Sequence, residues 1–522
     1  MVEHRLAGAT GRWASIFVLA LAFSAAIPAG ARADWPLYGH DLANSRSAGR
    51  DGPSIGEVGS LKRAWTFKSA TGDFTGTPVV TGGVLVAGDN GGWVYALDAF
   101  SGAVIWSRHI GEPITGSAAI DLHARGGALV LVPVARAGGP RLEALSLGDG
   151  SVRWSTLLTR QPATTVFGSP VYWRGRVYMG TSGPNGDASS ARGAVVGIDE
   201  ATGRVRWRTY LVPRGHDGGA VWSTAAIDMA NGRLYVGTGN AYHDPAASTT
   251  DAIVALDSRT GRILGHYQAT ASDTFSGSGS PAGPDADFGA SPNLFRGPSG
   301  QALVGEGAKD GTYWALDRKT MRPVWHTSVG PGSAIGGILS STAYDGSRIF
   351  GTDAANGQVW ALGRDGSAQW SSADGGTLDF SPVATGNGVL YTATPGGSLV
   401  ARNVSTGAVL SQFNLGGATF GGMSVVGRAV YAAVGTGPPP APAPQSDSPG
   451  SIVAFGDTSR SGHGLSAFSV RFSTRARGRH AGALLHWFLH RNPDNPTVKP
   501  SQLKTEVVDL PPGARFDGRA LP

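Results

Sequence analysis

An eleven-residue phrase recurs along this chain and leaves few folds open to it. Ala96-Leu-Asp-Ala-Phe-Ser-Gly-Ala-Val-Ile-Trp106 returns as Ala144-Leu-Ser-Leu-Gly-Asp-Gly-Ser-Val-Arg-Trp154, as Gly197-Ile-Asp-Glu-Ala-Thr-Gly-Arg-Val-Arg-Trp207 and as Ala315-Leu-Asp-Arg-Lys-Thr-Met-Arg-Pro-Val-Trp325. Weaker copies start at Ala255, Ala361 and Ala401, so successive starts lie 48, 53, 58, 60, 46 and 40 residues apart. That is the length of one four-stranded propeller blade. In each copy a strand ends in Ala-Leu-Asp, a Thr-Gly or Ser-Gly pair turns the chain because glycine tolerates positive φ, and the next strand carries the Trp. An indole on every blade can wedge between neighbouring sheets. Upstream, a small-residue-Pro turn leads into alternating apolar residues, as in Gly76-Thr-Pro-Val-Val80, Gly168-Ser-Pro-Val171 and Phe380-Ser-Pro-Val383; these pieces read as inner strands.

Seven copies are visible, and closure supplies an eighth. Ser451-Ile-Val-Ala-Phe455 has no Trp following at the right spacing, whereas Leu61-Lys-Arg-Ala-Trp65 has the missing half. Joining the two removes the exposed edges of an open array. The expected fold is all-β: an eight-bladed β-propeller of four-stranded antiparallel sheets over residues 34–458, with tryptophan-docking repeats. Its 80 glycines, 14 tryptophans and 15% charged residues suit many tight turns around a large interior. The repeat has departures: Gly265 and Ser411 stand where Trp is expected, Met321 replaces the turn glycine, and the copy at Ala361 is one residue short. Residues 437–450, rich in Pro and Ala, read as a surface loop, and 459–522 as a basic, poorly ordered tail.

Residues 1–33 read as a secretory signal, with Arg5 and Arg12 at a basic start, an apolar run from Trp13 to Ile27, and a small-residue site at Ala31-Arg32-Ala33. The run is shorter than the roughly 20 residues of a spanning helix. The expectation is therefore a periplasmic or secreted protein without a transmembrane span. There is no cysteine, which excludes disulfides and covalent haem attachment through Cys-x-x-Cys-His. The formal charge of +6 is unevenly placed: 459–522 holds 10 Lys and Arg against 4 Asp and Glu, while 34–458 holds 30 against 32. A slightly acidic body argues against a nucleic-acid partner.

The repeat resembles the tryptophan-docking motif of the pyrroloquinoline-quinone (PQQ) alcohol dehydrogenases, over nearly all of 34–457. The run Asp34-Trp-Pro-Leu-Tyr-Gly-His-Asp-Leu-Ala-Asn-Ser-Arg46 is similar to that family's opening, and Gly283-Pro-Asp-Ala-Asp-Phe-Gly-Ala-Ser-Pro292 to its polyvinyl-alcohol-dehydrogenase-like branch. Trp222, in Gly218-Gly-Ala-Val-Trp222, and Asn240, in Leu234-Tyr-Val-Gly-Thr-Gly-Asn240, resemble the quinone-stacking Trp and a metal-binding Asn. On residue chemistry alone Trp222 reads as core and Asn240 as a turn residue; their joint spacing on one repeat favours the site. Asp273 falls where the family keeps an aspartate that binds the metal and takes the substrate's hydroxyl proton, a task suited to a carboxylate. Lys309 matches the basic residue beside the quinone carbonyls. A solvated loop acid and a solvated turn lysine are the alternatives for these two.

Gly183 corresponds to a cofactor-binding position, and Asn185 stands where the family has a metal-binding glutamate, with Asp187 two residues on. An Asn can still give oxygen to calcium, with one charge fewer. The resemblance implies PQQ and Ca²⁺, a small-molecule or polymeric alcohol as substrate, and a separate electron acceptor such as a cytochrome. The other reading is a non-catalytic propeller that serves as a binding or assembly scaffold. His216, His243 and His266 lack metal-ligand spacing, and the Gly-rich run after Ser276 lacks the setting of a phosphate loop.

Overall fold

The computed structural model describes residues 34–183, 190–276, 283–373, 379–437 and 449–457, together with the backbone of Phe468–Phe472 and Ala483–Trp487. Eight four-stranded antiparallel sheets are present among these residues. Blade 1 is built from Val79–Thr81, Val84–Gly88, Trp93–Asp98 and Val104–His109, in order from first to fourth strand. Blades 2 to 7 repeat this meander over 119–157, 171–210, 226–268, 293–328, 343–373 and 384–414. Blade 8 takes three strands from 423–456 and its fourth from Arg63–Lys68, where Trp65 pairs with Ala454 and Lys68 with Ser451. The seam expected from the half-motifs at Trp65 and 451–455 is thus the closure of the ring. Phe468–Phe472 and Ala483–Trp487 form a separate antiparallel pair.

The Trp-turn phrase works between blades. Each indole lies against the turn glycine of the next blade: a Cβ on Gly102, Gly150, Gly203, Gly261, Gly366 or Gly407 would come within 3 Å of Trp65, Trp106, Trp154, Trp207, Trp325 or Trp370 respectively. The same indoles donate Nε1–H to a backbone carbonyl of that turn, Trp106 to Leu147 at 2.7 Å and Trp154 to Glu200 at 2.8 Å. The two departures at blades 4 and 5 compensate one another. Gly265 removes the indole and Met321 replaces the glycine, and a Cβ at Gly265 would lie 3.2 Å from Met321 Cγ. The thioether, 4% exposed at φ +57°, fills the space the ring vacates.

The small-residue-Pro turn has a similar logic. The backbone N–H of Thr77 donates to Ser117 Oγ, Ser117 to Ser169, Ser169 to Thr224, Thr224 to Ser291 and Ser291 to Ser341, each at 2.7–3.0 Å. A hydroxyl at this position therefore satisfies a buried amide of the preceding blade, linking blades 1 to 6 around the axis. Residues 34–48 run across that axis. Their backbone bonds reach Val80, Ile120, Ile227, Leu294, Tyr344 and Thr385 on six different first strands. Arg46, fully buried, donates to the carbonyls of Val383, Met423 and Tyr38.

Candidate functional site

Each blade is a four-strand meander, so its connections alternate between two faces of the ring. Links from the second to the third strand, and from a fourth strand to the next blade, share one face. Trp222, Asn240, Asp273, Lys309 and Gly183 all lie in such links. Trp222 follows blade 3, Asn240 lies within blade 4, Asp273 follows blade 4, and Lys309 lies within blade 5.

The 18-residue spacing of Trp222 and Asn240 has a local cause. Gly219 N donates to Asn240 O at 3.0 Å and Gly239 N to Ala220 O at 2.9 Å, which lays the two segments side by side. Gly218, at φ +74°, is required there, since a Cβ would lie 2.1 Å from Asn240 O. On its other side Trp222 rests on Gly289, where a Cβ would lie 2.2 Å from Trp222 Cη2. The Lys309 ammonium sits 5.6 Å from the centroid of this half-exposed indole.

Lys309 is held by two carboxylates. Its Nζ lies 2.8 Å from Asp285 Oδ1 and 2.9 Å from Asp287 Oδ2, and the three side chains are 11%, 3% and 8% exposed. Burial alone would lower the lysine's pKa, but Asp287 and Asp285 overcome it and hold the group charged above its ordinary value. Asp287 also accepts the Asn240 N–H at 2.5 Å, so it fixes the ammonium and the Asn240 backbone together. The Asn240 amide donates to Ala241 O and Phe275 O, leaving Oδ1 without a partner.

Asp273 is adjacent but differently engaged. Its Oδ2 accepts the Ala286 N–H at 2.8 Å, bracketing the loop that carries Asp285 and Asp287, while buried Oδ1 has no partner. Burial and Asp287 raise its pKa against the Ala286 and Asp285 N–H groups and Lys309. The carboxylates against the ammonium are those of Asp285 and Asp287, which sequence reasoning passed over together with Asp251. A signal existed: the pair Asp285-Ala-Asp287 stands 24 and 22 residues before Lys309, inside the stretch that carried the resemblance.

Asp251 is fully buried at φ +47°, and neither of its carboxylate oxygens has a hydrogen-bond partner. Burial, followed by Asp287 and Asp273, pushes its pKa far above the carboxylate range. A raised acid stabilises the fold fully below its unfolded pKa and loses that contribution as pH climbs toward the folded value. Asp251→Asn, isosteric with the neutral acid and tolerant of left-handed backbone, is therefore expected to gain stability over the parent as pH rises from about 4 to about 9. Melting temperatures of the two proteins across that range check it.

The donor set suits the groups the resemblance implies. A half-exposed indole face beside a fixed ammonium suits a flat anionic quinone, and Asn240 Oδ1 with Asp273 Oδ1 offers hard oxygen to a cation. Among the described residues no three acidic or histidine side chains group as a metal cage. Asn185 and Asp187 lie outside the described residues; Gly183 is buried just before them, after Ser182, which pairs with Thr165. His243 serves a structural end, its Nδ1 2.5 Å from Asp217 Oδ2.

A ring of tryptophan-docked blades with a charged, aromatic cluster on one face defines a PQQ-type propeller. The chain belongs to the PQQ alcohol-dehydrogenase-like family of propellers: the PQQ_2 family model, described as outer membrane protein assembly factor BamB, matches residues 57–326 and 249–437. The polyvinylalcohol dehydrogenase of Sphingopyxis sp. is 28% identical over 399 residues, covering 66% of this chain and 59% of that protein. A second, from Pseudomonas sp., is 27% identical over 437 residues, covering 74% of this chain and 68% of its own length. The chain thus spans about three fifths to two thirds of these relatives. The solved quinohemoprotein alcohol dehydrogenase from Comamonas testosteroni shares the fold at a TM-score of 0.68 and 20% identity, over 84% of this chain and 83% of that one. BamB from Moraxella catarrhalis does so at 0.54 and 16%, over 76% and 99%.

Proposed function

We propose that the protein is a quinoprotein oxidoreductase that oxidises an alcohol, small or polymeric, and passes the electrons to a separate acceptor such as a cytochrome. The observation that carries this reading is the Lys309–Asp285–Asp287 cluster beside Trp222. Burying one ammonium among several carboxylates costs stability, and ring packing, which the Trp–Gly contacts and the hydroxyl girdle already supply, does not require it. A scaffold of the same family, the reading to which the BamB description points, would have no use for it. The export signal read at residues 1–33 supports a periplasmic or secreted location.

In this reading Trp222 and Lys309 hold the quinone, with Gly183 beside it, and Asn240 and Asp273, joined by Asn185, hold calcium or a similar cation. When bound, the quinone supplies a two-electron hydride acceptor and the cation a Lewis acid. Asp285 receives the substrate's hydroxyl proton at its carboxylate, which lies 2.8 Å from the Lys309 ammonium. Asp273 positions the Asp285 loop through the Ala286 N–H and offers its second oxygen to the cation. Lys309 would set a fixed positive charge beside the bound quinone.

The test is to incubate purified protein with PQQ and calcium, remove unbound quinone, and assay dye reduction with a panel of primary, secondary and polymeric alcohols. Retained quinone absorbance with alcohol-dependent dye reduction supports the enzyme. Protein that retains no quinone and reduces no dye is the scaffold.

A further inference from the structure

The face opposite the candidate site carries the first-to-second and third-to-fourth strand turns. On blades 3, 4 and 5 these turns are densely basic. Arg174, Arg204, Arg259, Arg262, Lys319 and Arg322 are exposed there, and none makes an ion pair. The turns of the three blades are stitched side by side: Arg176 Nη1 donates to Arg259 O at 3.0 Å, and Arg233 Nη1 to Arg318 O at 2.9 Å and Lys319 O at 3.1 Å. The six cations therefore share one continuous surface.

The carboxylates of these turns are drawn inward. Asp199, Asp257 and Asp317 each accept the N–H and hydroxyl of the turn threonine, Thr202, Thr260 and Thr320. Asp228 is buried and holds Ala230 N and Asn231 Nδ2. The same face is different elsewhere on the ring: the turns of blade 6 carry two acids and one base, and those of blade 7 no charge. In a body of near-neutral charge this is local segregation.

At the centre of the basic sector stands Met229, at the tip of the turn that Asp228 stiffens. It is 58% exposed, the most exposed of the large apolar side chains among the described residues, and Val205 and Val324, first and second residues of the fourth strands of the flanking blades, are 37% and 43% exposed. A protein interface needs roughly 800 Å² per partner with an apolar core, which one methionine does not provide. A bilayer needs only cations at phosphate level and a shallow apolar anchor.

We propose that the turn face of blades 3–5 docks the protein on an anionic lipid bilayer, with these six cations against the headgroups and Met229 at the headgroup–acyl boundary. Docked in this way, the candidate site faces away from the membrane. The surface is independent of what the site does.

The full chain is tested by co-sedimentation with phosphatidylcholine vesicles, with and without phosphatidylglycerol. Binding is expected only to the anionic vesicles, weakening with salt. Each cation near such a surface contributes about a fivefold factor, so the triple variant Arg204→Glu, Arg259→Glu, Lys319→Glu should bind at least about a hundredfold more weakly. None of these three side chains makes a hydrogen bond or ion pair, so the fold is left intact. Because the chain has no cysteine, Met229→Cys gives a single thiol for an environment-sensitive fluorophore, whose emission should shift to the blue on anionic vesicles. No vesicle binding overturns the proposal. So does parental affinity in the triple variant, which assigns binding to the basic segment 459–522. Unshifted emission with equal binding to soluble polyglutamate also overturns it, in favour of an acidic protein.

Discussion

With PQQ and calcium supplied, Asp285→Asn should lower kcat by about 10²- to 10⁴-fold, the usual loss when a general base is removed. The fold should survive, because Lys309 keeps Asp287 at 2.9 Å and the Asn side chain is isosteric. Asp273→Asn is the informative contrast. An Asn there still accepts the Ala286 N–H, so the loop that carries Asp285 stays in place. What changes is the charge offered to the cation, and the loss should be nearer tenfold, recovered in part by raising calcium. Steady-state kinetics of both variants over a calcium series separate the two roles. If Asp273→Asn is the variant that loses the 10²-fold or more, proton transfer belongs to Asp273, as its place in the family pattern suggests, and Asp285 only anchors the ammonium.

The contrast shows what could be read from the chain and what could not. The blade grammar was legible because each copy is local: Asp, turn glycine and Trp lie within eleven residues and recur from blade to blade, even though each indole docks on the next blade's turn. The compensation between Gly265 and Met321 was not, since it joins two blades through a contact that appears only on closure of the ring. The segment 34–48 gave a family likeness at 34–46 but no hint of its course across the axis. It has no period, and it takes positive φ at His40, Asn44 and Arg46 rather than at glycines. Its partners are first strands from all round the ring.

The site divides in the same way. Trp222 and Asn240 were legible as a pair because two glycine-rich segments fix their separation by backbone hydrogen bonds. Asp285 and Asp287 were visible only as letters in a similar stretch. Their meaning depends on Lys309, which reaches them from another blade. Asp251 looked like any acid ahead of an apolar strand until burial and unpartnered oxygens set it apart.

Lys309→Met should destabilise the protein by about 3–5 kcal/mol, the cost of stripping one partner from a buried ion cluster. The groups that lose the ammonium are Asp285 and Asp287, 3% and 8% exposed, and the methionine fills the stem's volume without the charge. The loss should depend on pH in one direction. In the parent, the raised pKa of Lys309 keeps its contribution complete across the neutral range, since it is lost only as pH rises through that folded value. In the variant Asp285 and Asp287 lose the ammonium, and burial then favours the neutral form of a carboxyl group. A neutral acid needs no counter-charge, so the deficit should shrink as pH falls, from near the full amount at about pH 8 toward a small one at about pH 5. Lys309→Arg should recover part of the stability by restoring the charge. Denaturant midpoints at the two pH values distinguish this from a packing defect, which would cost the same at both. The same variant should fail to retain PQQ, because the cation at the edge of Trp222 is gone. A protein that loses its quinone but keeps its midpoint at both pH values would show that Asp285 and Asp287 have other partners.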